Sequence, residues 1–389
     1  MSFELKALKD ICTIQIGKTP SRHENDFWRD GTHAWLSIAD MNQGRYLAST
    51  KECITDLGVK ASNIKLIPKN TLVLSYKLSI GKVGITQKPM YTNEAIASLT
   101  ELDSQVDINY LYWALQHIDL LENADRAAMG KTLNKAKLSE VKIPLPPLPE
   151  QRRIAAILDQ ADALRQKRSQ AIEKLDQLLQ ATFIDMFGDP VSNPKGWDLK
   201  SVGEISESKL GKMLDKKKQS SENDQYKYLR NANVQWFRFD LSDVFEMEFN
   251  EKDRKNCELK FGDILVCEGG EPGRAAIWKN DLENCFFQKA LHRVRLDMTQ
   301  ILPEYFVWLF WFYSKNGGFD DHITVATIAH LTGVKMKAMQ IPIPPLSLQE
   351  EFQQKLNEIE VLKTTLENSS KLFERLFSSL QNQAFSGTL

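Results

Sequence analysis

Two Gly-Lys-Thr triplets, Gly17-Lys18-Thr19 and Gly130-Lys131-Thr132, are the first places in this sequence where phosphate chemistry could sit. A phosphate-cradling loop also needs a glycine five residues before the glycine of the triplet, so that successive backbone N–H groups wrap the anion. Those positions are Cys12 and Asp125, which removes both triplets as nucleotide sites. Glu268-Gly-Gly-Glu-Pro-Gly-Arg274 has the glycines of an anion loop without dinucleotide-binding spacing, and reads as a tight turn presenting an arginine. The six histidines (23, 33, 117, 292, 322 and 330) show no zinc-ligand spacing. His322 and His330 flank a threonine-rich segment and read as surface or DNA-facing donors. An amino-methyltransferase of DNA would carry an Asn/Asp-Pro-Pro-aromatic tetrapeptide and a glycine-rich S-adenosylmethionine loop. The Pro-Pro pairs here, 146–147 and 344–345, are each followed by leucine. No Ser/His/Asp or paired-carboxylate constellation can be assembled. The residue types on hand suit binding rather than turnover.

Charge sets the terms of that binding. The 389 residues carry a net charge of −1, with 26% charged and 42% hydrophobic residues, as in an ordinary folded protein of two or three domains. No segment is strongly basic: residues 1–143 hold 18 Lys+Arg against 16 Asp+Glu, and residues 191–340 hold 22 of each. A protein that coats nucleic acid non-specifically is excluded; one that reads it must use local patches, base contacts or a basic partner. No apolar run approaches the ~18 residues of a membrane span, and the N-terminus lacks a secretory signal. The five cysteines (12, 53, 257, 267 and 285) include no C-x-x-C pair and read as buried, reduced thiols of a cytoplasmic protein.

The elements that must position any binding groups come in duplicate. From Ile143 the chain reads IPLPPLPEQRRIAAILDQADALRQKRSQAIEKLDQLLQATFIDMFG, and from Ile341 it reads IPIPPLSLQEEFQQKLNEIEVLKTTLENSSKLFERLFSSLQNQAFSG, an imperfect copy 198 residues later. Matched pairs include Pro144/Pro342, Pro146/Pro344, Pro147/Pro345, Leu148/Leu346, Gln151/Gln349, Leu164/Leu362, Leu178/Leu376 and Phe187/Phe385. The prolines demand an extended lead-in. The composition after it predicts one helix over 150–187, roughly 55 Å long. Ile157, Leu164, Ala171 and Leu178 form one heptad row. Ile154, Ala161 and Leu175 form the next, interrupted by Arg168 and Thr182. The second helix has an unbroken row: Phe352, Ile359, Leu366, Phe373 and Leu380. Two such seams are best explained by packing on each other.

The segments between the helices also repeat. Residues 11–17 and 71–76 read as strands, 79–85 as a glycine-punctuated hairpin or loop with a following strand, and 108–124 as a helix. In the other half, Tyr228-Leu-Arg-Asn-Ala-Asn-Val parallels Trp35-Leu-Ser-Ile-Ala-Asp-Met, and Arg238 falls opposite Arg45. Gly262-Asp-Ile-Leu-Val-Cys parallels Asn70-Thr-Leu-Val-Leu-Ser, Arg274 falls opposite Lys82, and Tyr305-Phe-Val-Trp parallels Tyr110-Leu-Tyr-Trp. Hydrophobic and turn positions repeat while many polar ones differ.

Two variable α+β globules, each followed by a proline-led IPLPPLPEQ or IPIPPLSLQ segment and a long helix, resemble the specificity subunit of type I restriction-modification systems. GKTPSR after the first strand and Phe27-Trp28 before Trp35-Leu-Ser-Ile-Ala-Asp40 carry the resemblance further, and it spans essentially the whole chain. The second copy departs from the first in lacking the counterparts of Glu150, Arg152 and Arg153. The resemblance implies an α+β fold with two tandem pseudo-repeated globular target recognition domains (1–143 and 191–340), separated by two long antiparallel coiled-coil helices (within 144–190 and 341–389). It implies a non-catalytic, DNA-binding subunit that reads one half of a bipartite double-stranded DNA target with each globule, the helix pair serving as ruler. Two half-sites on one groove face lie about a helical turn, ~34 Å, apart. Two modification subunits would dock on the chain, bind S-adenosylmethionine and methylate adenine N6. Restriction subunits would bring ATP and Mg2+ chemistry, so this chain needs no cofactor or metal of its own. Candidate base readers in turns beside the duplicated strands are Lys18, Ser21, Arg22, Asn42, Gln43, Arg45, Lys77, Lys82 and Lys131 in the first globule. In the second they are Lys212, Arg230, Asn231, Asn233, Gln235, Arg238, Arg274, Lys289 and Thr327, chosen because Arg, Asn and Gln make bidentate base contacts. A self-contained DNA-modifying enzyme and a coiled-coil adaptor without a DNA role are the competing readings.

Overall fold

The computed structural model describes residues 3–77, 79–120, 125–127, 130–213, 225–321, 324–325 and 329–389. The chain divides into two compact units, residues 1–170 with 368–389 and residues 171–367. In the first, a five-stranded sheet runs in the order Thr13–Ile16, Ile96–Thr100, Leu72–Ser75, Val83–Thr86, Tyr46–Leu47. Its central strand Leu72–Ser75 is buried along its length, as the continuous apolar run requires. Glu52–Ile54, His33–Leu36 and Tyr91–Thr92 form a smaller sheet beside it. Helix α1 (Ile108–His117) is capped by Asp107, whose carboxylate accepts from the Asn109 and Tyr110 N–H groups. It stops at His117, short of the predicted 124, where Ile118 turns to extended backbone. Every residue from Tyr110 to Leu115 is buried, so α1 is enclosed on all sides rather than half-solvated. The long helix α2 (Leu148–Phe187) follows the prolines; Pro149 sits in its first turn, where the missing N–H leaves no bond unmade.

The second unit repeats the plan. Ser206–Leu210, Leu291–Leu296, Ile264–Cys267 and Ala275–Ile277 form a four-stranded sheet, and Phe245–Glu248, Gln225–Leu229 and Phe286–Phe287 a three-stranded one. Helix α3 (Pro303–Lys315) takes the place of α1, and α4 (Leu346–Ser386) that of α2.

Each globule is closed by its own proline segment. In the first unit Leu5, Lys6 and Ala7 pair antiparallel with Pro144, Ile143 and Lys142. In the second, Leu199, Lys200 and Ser201 pair in the same register with Pro342, Ile341 and Gln340. The Tyr110 hydroxyl donates to the Pro144 carbonyl at 2.5 Å, and the Tyr305 hydroxyl to that of Pro342 at 2.9 Å. The first turn of each long helix is then pinned by a glutamine with no solvent exposure. Gln151 accepts from the Asp107 N–H (2.8 Å) and donates to the carbonyls of Gln105 (2.8 Å) and Pro146 (2.8 Å). Gln349 accepts from the Leu302 N–H (2.8 Å) and donates to Gln300 (3.1 Å) and Pro344 (2.9 Å). A side-chain amide supplies one acceptor and two donors, and both copies use all three.

The helices pack antiparallel within each unit, on a seam one residue away from the first predicted row. Leu164 and Leu178 are 44% and 48% exposed, and their counterparts Leu362 and Leu376 are 57% and 65% exposed. The seam of α2 runs instead through Ile154, Leu158, Ala161, Arg165, Arg168, Leu175, Leu179 and Phe183. Arg168 does not interrupt it: its guanidinium lies 4.2 Å over the Phe373 ring, and that of Arg165 lies 5.1 Å over Phe377. Arginine stems cover apolar surface while their heads stay polar, which reading aliphatic residues alone misses. The row Phe352, Ile359, Leu366, Phe373 and Leu380 does face inward. In the second unit Phe352 packs edge-on against Phe183 and Phe187, and Lys363 pairs with Asp176.

Gln151→Ala strands the buried Asp107 N–H and two carbonyls, and a stranded buried polar group costs about 1–3 kcal/mol. Hydrogen exchange at the Asp107 amide is expected to accelerate to match. Exchange at the wild-type rate would mean that the glutamine does not pin the helix.

Candidate nucleic-acid interface

The duplicated Gly-Lys motif is settled by close packing. A Cβ on Gly17 would lie 2.1 Å from the Thr92 carbonyl oxygen, and one on Gly211 2.3 Å from that of Gln288. Glycine is therefore required so that the strand end can cross its neighbour. The following lysines are anchored at comparable places, Lys18 Nζ donating to the Ser62 carbonyl (3.1 Å) and Lys212 Nζ to that of Glu248 (2.5 Å). The loop ending at Arg274 is likewise architectural. Gly270 and Gly273 have φ of +77° and +85°. Arg274 folds back onto Glu271 (3.3 Å) and the Asn231 carbonyl (2.9 Å), rather than being presented to solvent.

The candidate readers of the first globule fall into two groups. Lys18, Ser21 and Arg22 gather round Trp28 and Trp35. The Trp28 indole donates to the Ser21 carbonyl (3.0 Å) and the Trp35 indole to the Lys18 carbonyl (3.0 Å). Arg22 stacks 3.7 Å over Trp28 and pairs with Glu52. Asn42 and Lys82 form the second group, joined by a 2.7 Å hydrogen bond. Gln43 stands beside them, but its amide bonds Asp40 and Ser49, leaving it a loop brace. Lys77 lies apart, over the Tyr76 ring. Arg45 is corrected: its side chain is 12% exposed, ion-paired with Asp159, bonded to Asn109 Oδ1 (2.8 Å) and stacked on Tyr112 and Trp113. It locks the globule to α2 and is not free to meet a base. The Lys131 side chain and Thr327 lie outside the described residues.

In the second globule most candidates are structural. Asn233 is 2% exposed, and its amide caps the Arg230 N–H and bonds the Asp240 and Asp243 carbonyls. Arg230 pairs with Asp243 (2.7 Å) and stacks 3.6 Å over Phe245. Asn231 donates to the Gly269 carbonyl (2.6 Å), Gln235 to that of Ala232 (2.8 Å), and Lys212 pairs with Asp253 (2.8 Å). Sequence reading chose these because they are long and polar; the short-range partners that hold them are not visible in spacing. Lys289 and Arg238 remain exposed, with no side-chain hydrogen bond or ion pair among the described residues. Arg29 was missed: it follows Trp28 in a loop, is 83% exposed, and has only a 3.8 Å contact to Asp30.

No cluster of three or more potential metal ligands occurs among the described residues, and none of their helices is long and apolar enough to cross a membrane. Burial pushes the thiols of Cys12 and Cys285 up to about 12 and that of Cys267 to about 11, far from the reactive thiolate range.

Two α+β units of one plan, with identically pinned proline segments and dissimilar polar loops, define a tandem binding module. The sequence pattern described as the type I restriction modification DNA specificity domain matches residues 2–174 and again 194–372, and the chain belongs to that family. Among curated relatives, the type I restriction enzyme MjaIX specificity subunit of Methanocaldococcus jannaschii is 28% identical over 248 residues, 59% of this chain and 57% of that one. The EcoR124I/EcoR124II specificity subunit of Escherichia coli is 30% identical over 188 residues, 46% of each chain. The matched spans thus cover about half the length of these relatives. The type I restriction-modification S subunit from M. genitalium shares the fold at a TM-score of 0.56 and 14% identity, over 99% of this chain and 96% of that one. A chain from a study of complex assembly and conformational transition of the type I R-M system aligns at 0.64 and 16%, covering 100% and 98%.

Two outcomes check these assignments. Asn233→Ala is expected to lower the stability of the second unit by about 1–3 kcal/mol in urea; lost DNA affinity at unchanged stability would restore it as a reader. In the native chain at pH 8, a disulfide reagent is expected to modify Cys53 and leave Cys12, Cys267 and Cys285 until denaturant is added. Rapid native labelling at Cys267 would contradict its burial.

Proposed function

We propose that this chain is the non-catalytic, sequence-specific DNA-binding subunit of a type I restriction-modification complex. Each globule reads one half of a bipartite double-stranded target, and the long helices serve as the spacer. The observation that carries the reading is the repeat itself: the Gln151 and Gln349 pins, the Tyr110 and Tyr305 bonds and the strand registers coincide, while the polar loops beside the strands do not. A scaffold kept twice with its loops varied suits two readers of different sequence.

In the first globule, Lys18, Ser21, Arg22 and Arg29 around Trp28, and Asn42 with Lys82, are the groups we assign to DNA. In the second they are Lys289 and Arg238. Asn42 can read a base edge, whereas the lysines meet phosphate, positioning the duplex without reading it. The near-neutral chain leaves much of the electrostatic attraction to partners. Those partners are two modification subunits that bind S-adenosylmethionine and methylate adenine N6, with restriction subunits supplying ATP- and Mg2+-dependent cleavage. The complex works in the cytoplasm, where buried thiols stay reduced.

Sequencing of modified adenines in cells carrying this chain with its partner subunits is the test. The expected motif is bipartite, with two specified halves around an unspecified spacer, and it vanishes when the chain is deleted. The purified chain alone transfers no methyl group from S-adenosylmethionine. A contiguous motif, or turnover by the isolated chain, would contradict the reading. Lys82→Ala is expected to weaken DNA binding across all sequences and to reduce the salt slope by about 1.

A further inference from the structure

One turn is framed alike in both globules and carries opposite charge at its tip. In the first unit it follows Tyr91–Thr92 and presents Glu94; in the second it follows Phe286–Phe287 and presents Lys289. The backbone bonds around the two tips coincide. The Gly17 N–H donates to the Ile96 carbonyl and that of Gly211 to the Leu291 carbonyl, both at 3.1 Å. The Asn93 N–H donates to Leu36 (3.0 Å) and the Gln288 N–H to Leu229 (3.1 Å). The Tyr76 N–H donates to Ala95 (3.0 Å) and the Glu268 N–H to Ala290 (2.9 Å). Both tip residues are exposed. The place is the same in the two copies, and the group it holds out is reversed in charge.

Glu94 stands among the cations assigned to DNA in this globule. Its Oε2 accepts from the hydroxyl of Thr19, the residue after Lys18, and its Oε1 has no hydrogen-bond or ion-pair partner among the described residues. The Arg22 pKa is raised, first by its bond to Glu52 and further by the charge of Glu94. The Tyr76 hydroxyl donates to the Glu94 carbonyl at 3.0 Å, which fixes the tip against the strand behind it. A lysine at such a tip can meet a phosphate, whereas a carboxylate is repelled by one. A fixed acceptor on a DNA-facing surface needs a donor, and duplex DNA offers donors on its bases, as the amino groups of cytosine, adenine and guanine. Adenine sets the N7 acceptor beside its amino group in the major groove, where it opposes the second oxygen of a carboxylate. The guanine amino group lies in the minor groove. Cytosine N4 is the donor that remains.

We propose that Glu94 is a specificity-determining residue of the first globule, accepting in the major groove from the N4 amino group of a cytosine in its half-site. The assignment rests on the DNA-reading function proposed above. The Thr19 hydroxyl takes up Oε2 and leaves Oε1 for the base. The same charge works against wrong DNA, because a duplex seated out of register brings a phosphate or a base acceptor to that oxygen. Lys289, at the second tip, has no such selectivity and supplies attraction to phosphate.

The test uses the chain assembled with its partner subunits and fluorescent duplexes carrying the modified motif, each position of the first half-site changed in turn to the other three bases. In the wild type, one cytosine of that half is expected to be preferred about tenfold over any other base, the size of one base contact. Glu94→Gln keeps an acceptor for Thr19 but presents an amide, which pairs with adenine at N6 and N7. It is expected to lose the cytosine preference and favour adenine at the same position, with the second half-site unchanged. Glu94→Ala is expected to relax that position and to bind unrelated duplex more tightly. Lys289→Ala, by contrast, is expected to weaken all duplexes alike. A Glu94→Gln complex that keeps every preference of the first half-site, or loses affinity equally for all duplexes, would reduce Glu94 to a brace for Thr19 and overturn the proposal. The DNA-reading function would stand in that case, because the wild-type motif would still be bipartite. A contiguous wild-type motif would overturn that function and this proposal with it.

Discussion

Everything in this chain hangs on how a long helix is fastened to a globule, and that fastening is a buried glutamine. A helix of forty residues with a narrow apolar seam gains little stability from its own propensity. It is held because its first turn is bonded into the same backbone that caps the short helix beside it. Gln151 joins residues 105, 107 and 146, and Gln349 joins 300, 302 and 344. Prolines before the helix leave carbonyls without helical donors, and the glutamine amide bonds one of them, Pro146 or Pro344, while its other N–H reaches the globule at Gln105 or Gln300. An apolar residue of similar size would fill the volume and leave those groups unpaired. With its edge also zipped to the globule's first strand, the proline segment makes helix and globule one body in each unit.

This division of labour explains where variation is tolerated. The pins, the enclosed helices α1 and α3 and the Gly17 and Gly211 crossings leave no room for change. The loops beside the strands are braced instead by partners of their own, such as Asn233 with residues 230, 240 and 243 in the second unit and Gln43 with Asp40 and Ser49 in the first, and there the two copies diverge. Even the locks between globule and helix have diverged. The first unit uses an arginine between an aspartate of the long helix and aromatic rings; in the second, Phe237 stacks on Trp308 of the globule's own α3, which meets the long helix through Phe352, with Asn357 where Asp159 would be.

Much of the architecture was legible because duplication shows itself as matched residue types at constant offset. The proline segments, the strands around Leu72–Ser75 and Ile264–Cys267, and the long helices could be read directly. Of the two rows read for α2, the second (Ile154, Ala161, Leu175) follows the seam, while the first (Ile157, Leu164, Ala171, Leu178) lies one position off it, because Arg165 and Arg168 occupy seam positions as cation–π partners and hydrophobic periodicity does not score arginine. The end of α1 was overshot because nothing in the residues after His117 breaks a helix; Ile118 is nonetheless extended, and Leu120 two residues on is buried in the core. Candidate readers were legible as residue types, but not as free or occupied. Arg45, Asn233 and Arg230 have the right chemistry for bases and are committed to Asp159, to loop carbonyls and to Asp243. Such partners lie across the fold or within a turn whose geometry sequence does not specify. Arg29 directly follows the Phe27-Trp28 pair, and that pair was the signal that could have found it.

The central claim is that the two globules read independently. The most direct measurement exchanges residues 1–143 for the equivalent globule of another family member, keeps the partner subunits fixed, and sequences the modified adenines. The expected result is that one half of the motif changes while the other half and the spacer stay as they were. A motif in which both halves change together, or in which neither does, would contradict it.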